Sequence, residues 1–205
     1  MTAMSRAADL MLLNLFFLFT SIPIVTIGPS AAALYTVVFR MGTRREQGTV
    51  CAYFRAFRDN FRQALPLWLL TLLAGGATAC NLFIFSSLPG ALGYLRVLFG
   101  ILAVIGILMS GYLFPLTALF RNSTLETLKN ALSLSLGYLP RSVLVAVINA
   151  LPFALLLLDT ASFFYAGFLW IAVYFSAGAY LNSLLLRKVF APFLPEDAFA
   201  PEESD

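Results

Sequence analysis

The sequence predicts an all-α fold, a polytopic membrane bundle of about five transmembrane helices with its N-terminus outside and its C-terminus in the cytoplasm. Three observations carry that expectation. Hydrophobic residues make up 60% of the 205 positions and charged residues 11%, against roughly half and a quarter in soluble domains. Five runs (10–39, 63–95, 97–120, 142–158 and 160–186) contain no Asp, Glu, Lys or Arg, and about 20 apolar residues suffice to cross a hydrocarbon core of roughly 30 Å. The runs are continuous and do not alternate, which favours helices over a barrel. Orientation follows from the cations: Arg40, Arg44, Arg45, Arg55, Arg58, Arg62, Arg121, Lys129, Arg141, Arg187 and Lys188 follow alternate spans, and only Arg6 and Arg96 fall opposite. Positive residues stay on the cytoplasmic side.

The first run, 10–39, is too long for the apolar part of a cleaved signal peptide and is expected to remain. As one helix it would also be too long, about 45 Å at 1.5 Å per residue, and it contains Pro23, Thr26, Gly28 and Pro29. Each proline removes a helix donor, and glycine tolerates backbone angles that other residues resist. A break near 23–29 is therefore expected, with Pro29 starting the second piece. Lipid cannot satisfy the backbone groups a break frees, so Thr26, Gly28 and Pro29 are expected at the centre of the bundle, and together with Pro23 they form a candidate partner or solute site.

Residues 49–64 read as an amphipathic helix in the inner headgroup region. Val50, Tyr53, Phe54, Phe57, Phe61 and Ala64 share one face, opposite Arg55, Arg58, Asp59 and Arg62. Phe54, Arg55, Phe57, Arg58, Phe61 and Arg62 are the expected lipid contacts. Span two follows over 65–88, a turn at Pro89 and Gly90 leads into span three over 97–120, and a second amphipathic segment follows. Its Ser123-x-x-Glu126 has capping-box spacing, and Leu125, Leu128, Leu132, Leu136 and Leu139 form a stripe. Shifting by 75 residues superposes Val50, Tyr53, Phe57, Phe61 and Ala64 on those leucines, as in an internal parallel repeat. Spans four (139–158) and five (161–186) complete a single domain over 1–195, and 196–205 is an acidic tail expected to be disordered.

The chemistry is sparse. There is no histidine and no acid inside a charge-free run, so no histidine triad, carboxylate pair, zinc or haem site is expected, and no enzyme. Cys51 and Cys80 are not expected to pair. The basic excess reads as attraction to anionic inner-leaflet lipids, not nucleic-acid binding. Intramembrane polarity is neutral: Asn14, Asn81, Asn149 and Asn182. By topology Asn14 and Asn81 occupy the same half of the membrane and face each other if their helices are neighbours. Gly75-x-x-x-Ala79 and Gly106-x-x-x-Ser110 read as close-packing faces.

Two motifs add a resemblance: Pro23-x-x-Thr26-x-Gly28-Pro29 followed by Ala-rich sequence to Tyr35, and Phe54-x-x-Phe57-x-x-Asn60-Phe61, with weaker echoes at Pro115 and Lys129-Asn130-Ala131. Here the chain resembles the YesL-like bacterial membrane proteins, domain of unknown function 624. The resemblance implies a small five-span protein of the bacterial cytoplasmic membrane, from a family often encoded beside carbohydrate importers. It implies no established activity, cofactor or catalytic residue. The expectation is a non-enzymatic accessory protein that docks on an ABC-type carbohydrate importer permease. The alternative is a small carrier or channel for a neutral solute.

Overall fold

The structure, a computed structural model, describes residues 3–41, 43, 48–86, 94–195 and 198–199. Arg44 and Arg45, the turn at Pro89 and Gly90, and the tail acids Glu196, Asp197, Glu202, Glu203 and Asp205 lie outside the described residues. The fold is helical: α1 Ala3–Thr20, a short 3-10 turn Ile24–Thr26, α2 Ile27–Arg40, α3 Thr49–Ser86, α4 Leu95–Leu119, α5 Thr124–Gly137, α6 Leu139–Leu158, α7 Thr160–Tyr165 and α8 Gly167–Phe193. Among the described residues four helices, α3, α4, α6 and α8, are long and apolar enough to cross a membrane, and residues 24–40 form a shorter apolar helix. This is a multi-pass membrane bundle by length and composition.

The first run behaves differently from a simple crossing. Its two pieces do not continue in line, because Asp9 accepts a hydrogen bond from Thr49 Oγ1 at 2.5 Å while Arg40 and Ala52 line one cavity. Both ends of the run therefore sit against the first turns of α3. A straight helix would separate Asp9 and Arg40 by about 46 Å.

The amphipathic segment also departs from expectation. It is not a separate element but the first part of α3, 38 residues long with Pro66 inside. A proline in a helix interior removes one backbone bond at a cost of about 3 kcal/mol. Packing on both sides holds the helix through it: Asn60, Ala64 and Leu67 are buried, and Trp68 Nε1 donates to Ile24 O at 2.7 Å. The face that packs is narrower than the aromatic one. Ala52, Tyr53, Ala56, Asn60, Ala64 and Leu67 are buried, whereas Val50 and Phe54 remain exposed.

The same division of faces occurs on α5. Thr127, Ala131 and Ser135 are buried, and Leu125, at 69% exposure, points away from the bundle with Leu132, Leu136 and Leu139. Small residues let helix backbones approach, while a lipid-facing position accepts leucine freely. The 75-residue offset holds for these buried rows: Ala52, Ala56 and Asn60 map onto Thr127, Ala131 and Ser135, and the helix starts Thr49 and Thr124 coincide. The copies differ where α3 runs on and the second copy turns at Tyr138 between α5 and α6.

The core lies toward the basic end. It joins α2, the first part of α3, the last part of α4 and the last part of α8, around Val38, Phe39, Leu67, Tyr112, Leu186 and Phe190. Part of the tail joins it too. The Phe199 ring lies tilted against Phe39 at 6.0 Å between centroids, and the Arg187 guanidinium lies 5.5 Å from the Phe199 ring.

Candidate functional site: the helix break and its polar supports

The break is a built structure. After Thr20 the chain makes a 3-10 turn, and Thr26 closes it: its hydroxyl donates to Thr20 O at 2.6 Å and to Pro23 O at 2.8 Å. Ser30 Oγ donates to Thr26 O at 2.8 Å. Tyr53 reaches across from α3 to Thr20 Oγ1 at 2.6 Å and donates to Ser30 O at 3.5 Å. Side chains thus hold the carbonyls that the interrupted helix leaves open. Pro29 fits the first turn of α2, where a missing N–H breaks no bond.

The four residues of the motif do not share one environment. Gly28 and Pro29 are buried, Thr26 is half-buried, and Pro23 is exposed with Ile22, Ile24 and Val25. Gly28 and Pro29 thus lie inside the bundle as expected and Thr26 at its margin, while the turn that carries Pro23 projects outward. Gly28 is required by close approach: a Cβ there would stand 2.4 Å from Trp68 Cβ and 3.1 Å from Ala64 O.

The asparagines separate in the same way. Asn14 is fully buried and donates to Trp170 O at 3.0 Å and Ile171 O at 2.6 Å, while its Oδ1 accepts from Ser176 N–H at 3.0 Å. It thereby clamps a π turn at Trp170–Tyr174, where carbonyls shift out of the regular ladder. Asn81 is half-buried and donates to Ala77 O of its own helix, so Asn14 and Asn81 do not meet. Asn182 is buried and donates to Tyr35 Oη at 3.1 Å and Asn149 Oδ1 at 2.9 Å, joining α2, α6 and α8. Its own Oδ1 is buried without a partner.

Two supports went unread in the sequence. Arg187 donates to Phe39 O and Met41 O, each at 3.0 Å, and so caps the C-terminal end of α2 from another helix. Its signal was only a cation after an apolar run, which reads as topology. Tyr112 Oη pairs with Ser142 Oγ at 2.8 Å, and Ser142 donates to Ser135 O at 2.8 Å, fixing the α5–α6 corner.

Two cavities open at the basic end. One, of about 190 Å³, is lined by Thr36, Arg40, Arg55, Asp59, Asn60 and Arg121 among others. The other, of about 230 Å³, is mostly apolar, with Leu116, Phe120, Leu134, Phe190 and Phe193 on its walls. Of the expected lipid contacts, Arg55, Arg58, Arg62 and Phe54 are exposed, and Phe57 and Phe61 are half-buried with rings 5.6 Å apart. Among the described residues no three His, Cys, Asp or Glu side chains are grouped to hold a metal ion.

No curated protein and no solved structure matches the chain. A family model does, described as "Protein of unknown function, DUF624", over residues 10–82. That stretch, 73 of the 205 residues, holds most of α1, the break, α2 and all but the end of α3, and over it this multi-pass membrane chain is similar to the DUF624 family.

Proposed function

We propose that this chain is a non-enzymatic accessory protein of the bacterial cytoplasmic membrane, docking on a second membrane protein through the outer halves of α3 and α4. One observation carries the reading. Added Cβ atoms at Gly75, Gly76, Gly100 and Gly106 would meet nothing within 4 Å, although small residues elsewhere in the bundle are where helices touch. Glycine is costly in a helix interior, and in membranes it serves close helix approach. A carbohydrate importer permease is the candidate partner by family resemblance.

The same reading gives four crossings, by α3, α4, α6 and α8, with both termini cytoplasmic and the α1–α2 hairpin entering and leaving on the basic side. Support comes from Asp9 at Thr49 and Arg40 near Ala52. Charge agrees: with Arg6 on that side, only Arg96 of 13 cations stands opposite. This reading differs from the outside N-terminus expected from five spans and the cation pattern.

A carrier for a neutral solute has one observation in its favour, the unpartnered Asn182 Oδ1 in the core. The test is affinity purification in mild detergent. A transporter permease should accompany the wild type and be lost from a Gly75→Ile/Gly106→Ile variant that accumulates normally. Recovery of the chain alone, together with solute uptake by proteoliposomes, overturns docking in favour of the carrier. For orientation, Ala8→Cys in a background lacking Cys51 and Cys80 should resist impermeant maleimide in intact cells. Labelling from outside restores the five-span topology.

A further inference from the structure

We infer that the polar cavity between α2, α3 and the end of α4 is a binding site for a phosphate-type anion. Three arginines reach it from three separate elements: Arg40 at the last turn of α2, Arg55 on α3, and Arg121 just beyond α4. Their convergence is a product of the fold, since 66 positions of sequence separate Arg55 from Arg121. Among the described residues the single carboxylate on the wall is Asp59, so three cations face one anion. Arg121 donates to the Asp59 backbone carbonyl at 2.8 Å, which fixes its position without using the carboxylate.

The floor is polar as well. Thr36, Asn60 and Thr117 are each under 10% exposed, and Asn60 Nδ2 donates to Thr36 Oγ1 at 3.0 Å. An apolar floor would suit an acyl chain, whereas hydroxyl and amide groups beneath guanidinium groups suit a compact oxyanion. Guanidinium groups bind phosphate oxygens through charge-assisted, often paired hydrogen bonds. Positive-inside topology alone explains arginines on this side of the membrane. It does not explain a recess that gathers three of them while Arg58 and Arg62, on the same helix, remain outside it.

The shared chemistry is a phosphate oxyanion, carried as a diester in a phospholipid headgroup or free as a soluble phosphate. The purified full-length protein in neutral detergent is titrated with inorganic phosphate, and separately with phosphatidylglycerol against phosphatidylcholine in mixed micelles. The unfolding temperature is followed in each titration. One of the two anionic probes should raise it saturably. Arg40→Gln/Arg55→Gln should increase the half-saturating concentration about tenfold or more, and both side chains are exposed, so folding does not depend on them. Arg58→Gln/Arg62→Gln removes the same charge outside the cavity and should bind as the wild type does. A response to phosphatidylglycerol alone identifies a lipid headgroup, and a response to inorganic phosphate identifies a soluble ligand. Equal losses in the two double variants, or no response of the wild type to either anion, overturn the site.

Discussion

The two halves of α3 obey different rules. From Thr49 to Leu67 the helix presents a row of small and polar residues, Ala52, Ala56, Asn60 and Ala64, buried against its neighbours. Beyond Leu67 no residue of the helix is buried, although the sequence is just as apolar and holds two glycines and three alanines before Ser86. Apolarity therefore does not decide which half packs. In a bilayer an exposed leucine has no water to escape, so the driving force is close fit and satisfied polar groups. The first half has both, through Gly28, Asn60 and Tyr53.

The largest expected effect tests that difference directly. Gly28→Val should abolish accumulation or lower the melting midpoint severely. Overpacking costs about 1–3 kcal/mol and at times more, and here the obstacles are the Trp68 Cβ and a backbone carbonyl, neither a flexible tip. Gly75→Val, in the unpacked half, should change stability by no more than about 1 kcal/mol. Fluorescence-detected size exclusion after heating compares the two. Equal losses would erase the distinction between the halves.

Much of the first half was legible in residues. Pro23 and Pro29 announced a break, because their missing donors are a local property. Ser123 and Glu126 announced a cap for the same reason. The direction of the chain after the break was not legible, since it depends on Asp9 meeting Thr49, 40 positions away. The faces of α3 and α5 were legible in outline: the aromatic and leucine stripes expected toward lipid stay largely outside the packed core, except for Tyr53 and Ala64, which are buried. Periodicity locates the aromatic or leucine stripe, and a soluble protein buries that stripe. Here the row beside it is buried and the leucines of α5 face outward. The polar site was half legible: Arg55 and Asn60 stood out in a motif, but Arg121 and Thr36 join them only through folding.

A second contrast concerns the asparagines. Asn182→Leu leaves Tyr35 and Asn149 without their shared donor, at a cost of roughly 1–3 kcal/mol for a buried unsatisfied group. Asn81→Leu removes only a bond within its own helix and should be neutral or slightly stabilising. Thermal midpoints in detergent should rank them in that order. The reverse ranking would mean that Asn81 contacts something absent from the isolated chain, which would strengthen the docking reading for the outer half.

A third variant pair probes the rotated face of α5. Ala131→Leu forces a larger side chain into a fully buried position and should destabilise by about 1–3 kcal/mol. Leu132→Ser, one residue on and exposed, should spare the melting midpoint while increasing protease access to α5 in membranes. If Leu132→Ser is the more destabilising of the two, the leucine stripe packs inward after all.

The smallest effect is at the start of α5, where the chain leaves α4 and re-enters helix within four residues. Ser123 Oγ accepts from Glu126 N–H at 3.3 Å, and Glu126 returns the contact by accepting from Ser123 N–H at 3.0 Å. This reciprocal cap replaces bonds that the first helical turn lacks. Ser123→Ala should lower the local stability of α5 by about 1 kcal/mol, seen as faster amide exchange at Glu126 and Thr127 with little change in the global midpoint. The hydrogen bond from the Ser123 backbone, then that from its side chain, with Lys129 nearby, hold the Glu126 carboxyl below the usual carboxylate range. A folded-state pKa lowered in this way makes the cap fully effective above the ordinary carboxylate pKa. Its contribution is lost as pH falls through the depressed value, when protonation removes the acceptor charge. Exchange at the first turn of α5 should therefore, after correction for intrinsic rates, accelerate on acidification in the wild type. In Glu126→Gln, which retains an acceptor but cannot titrate, that pH dependence should vanish. Persistence of the acid response in Glu126→Gln would assign it to another group and leave Ser123 as the whole of the cap.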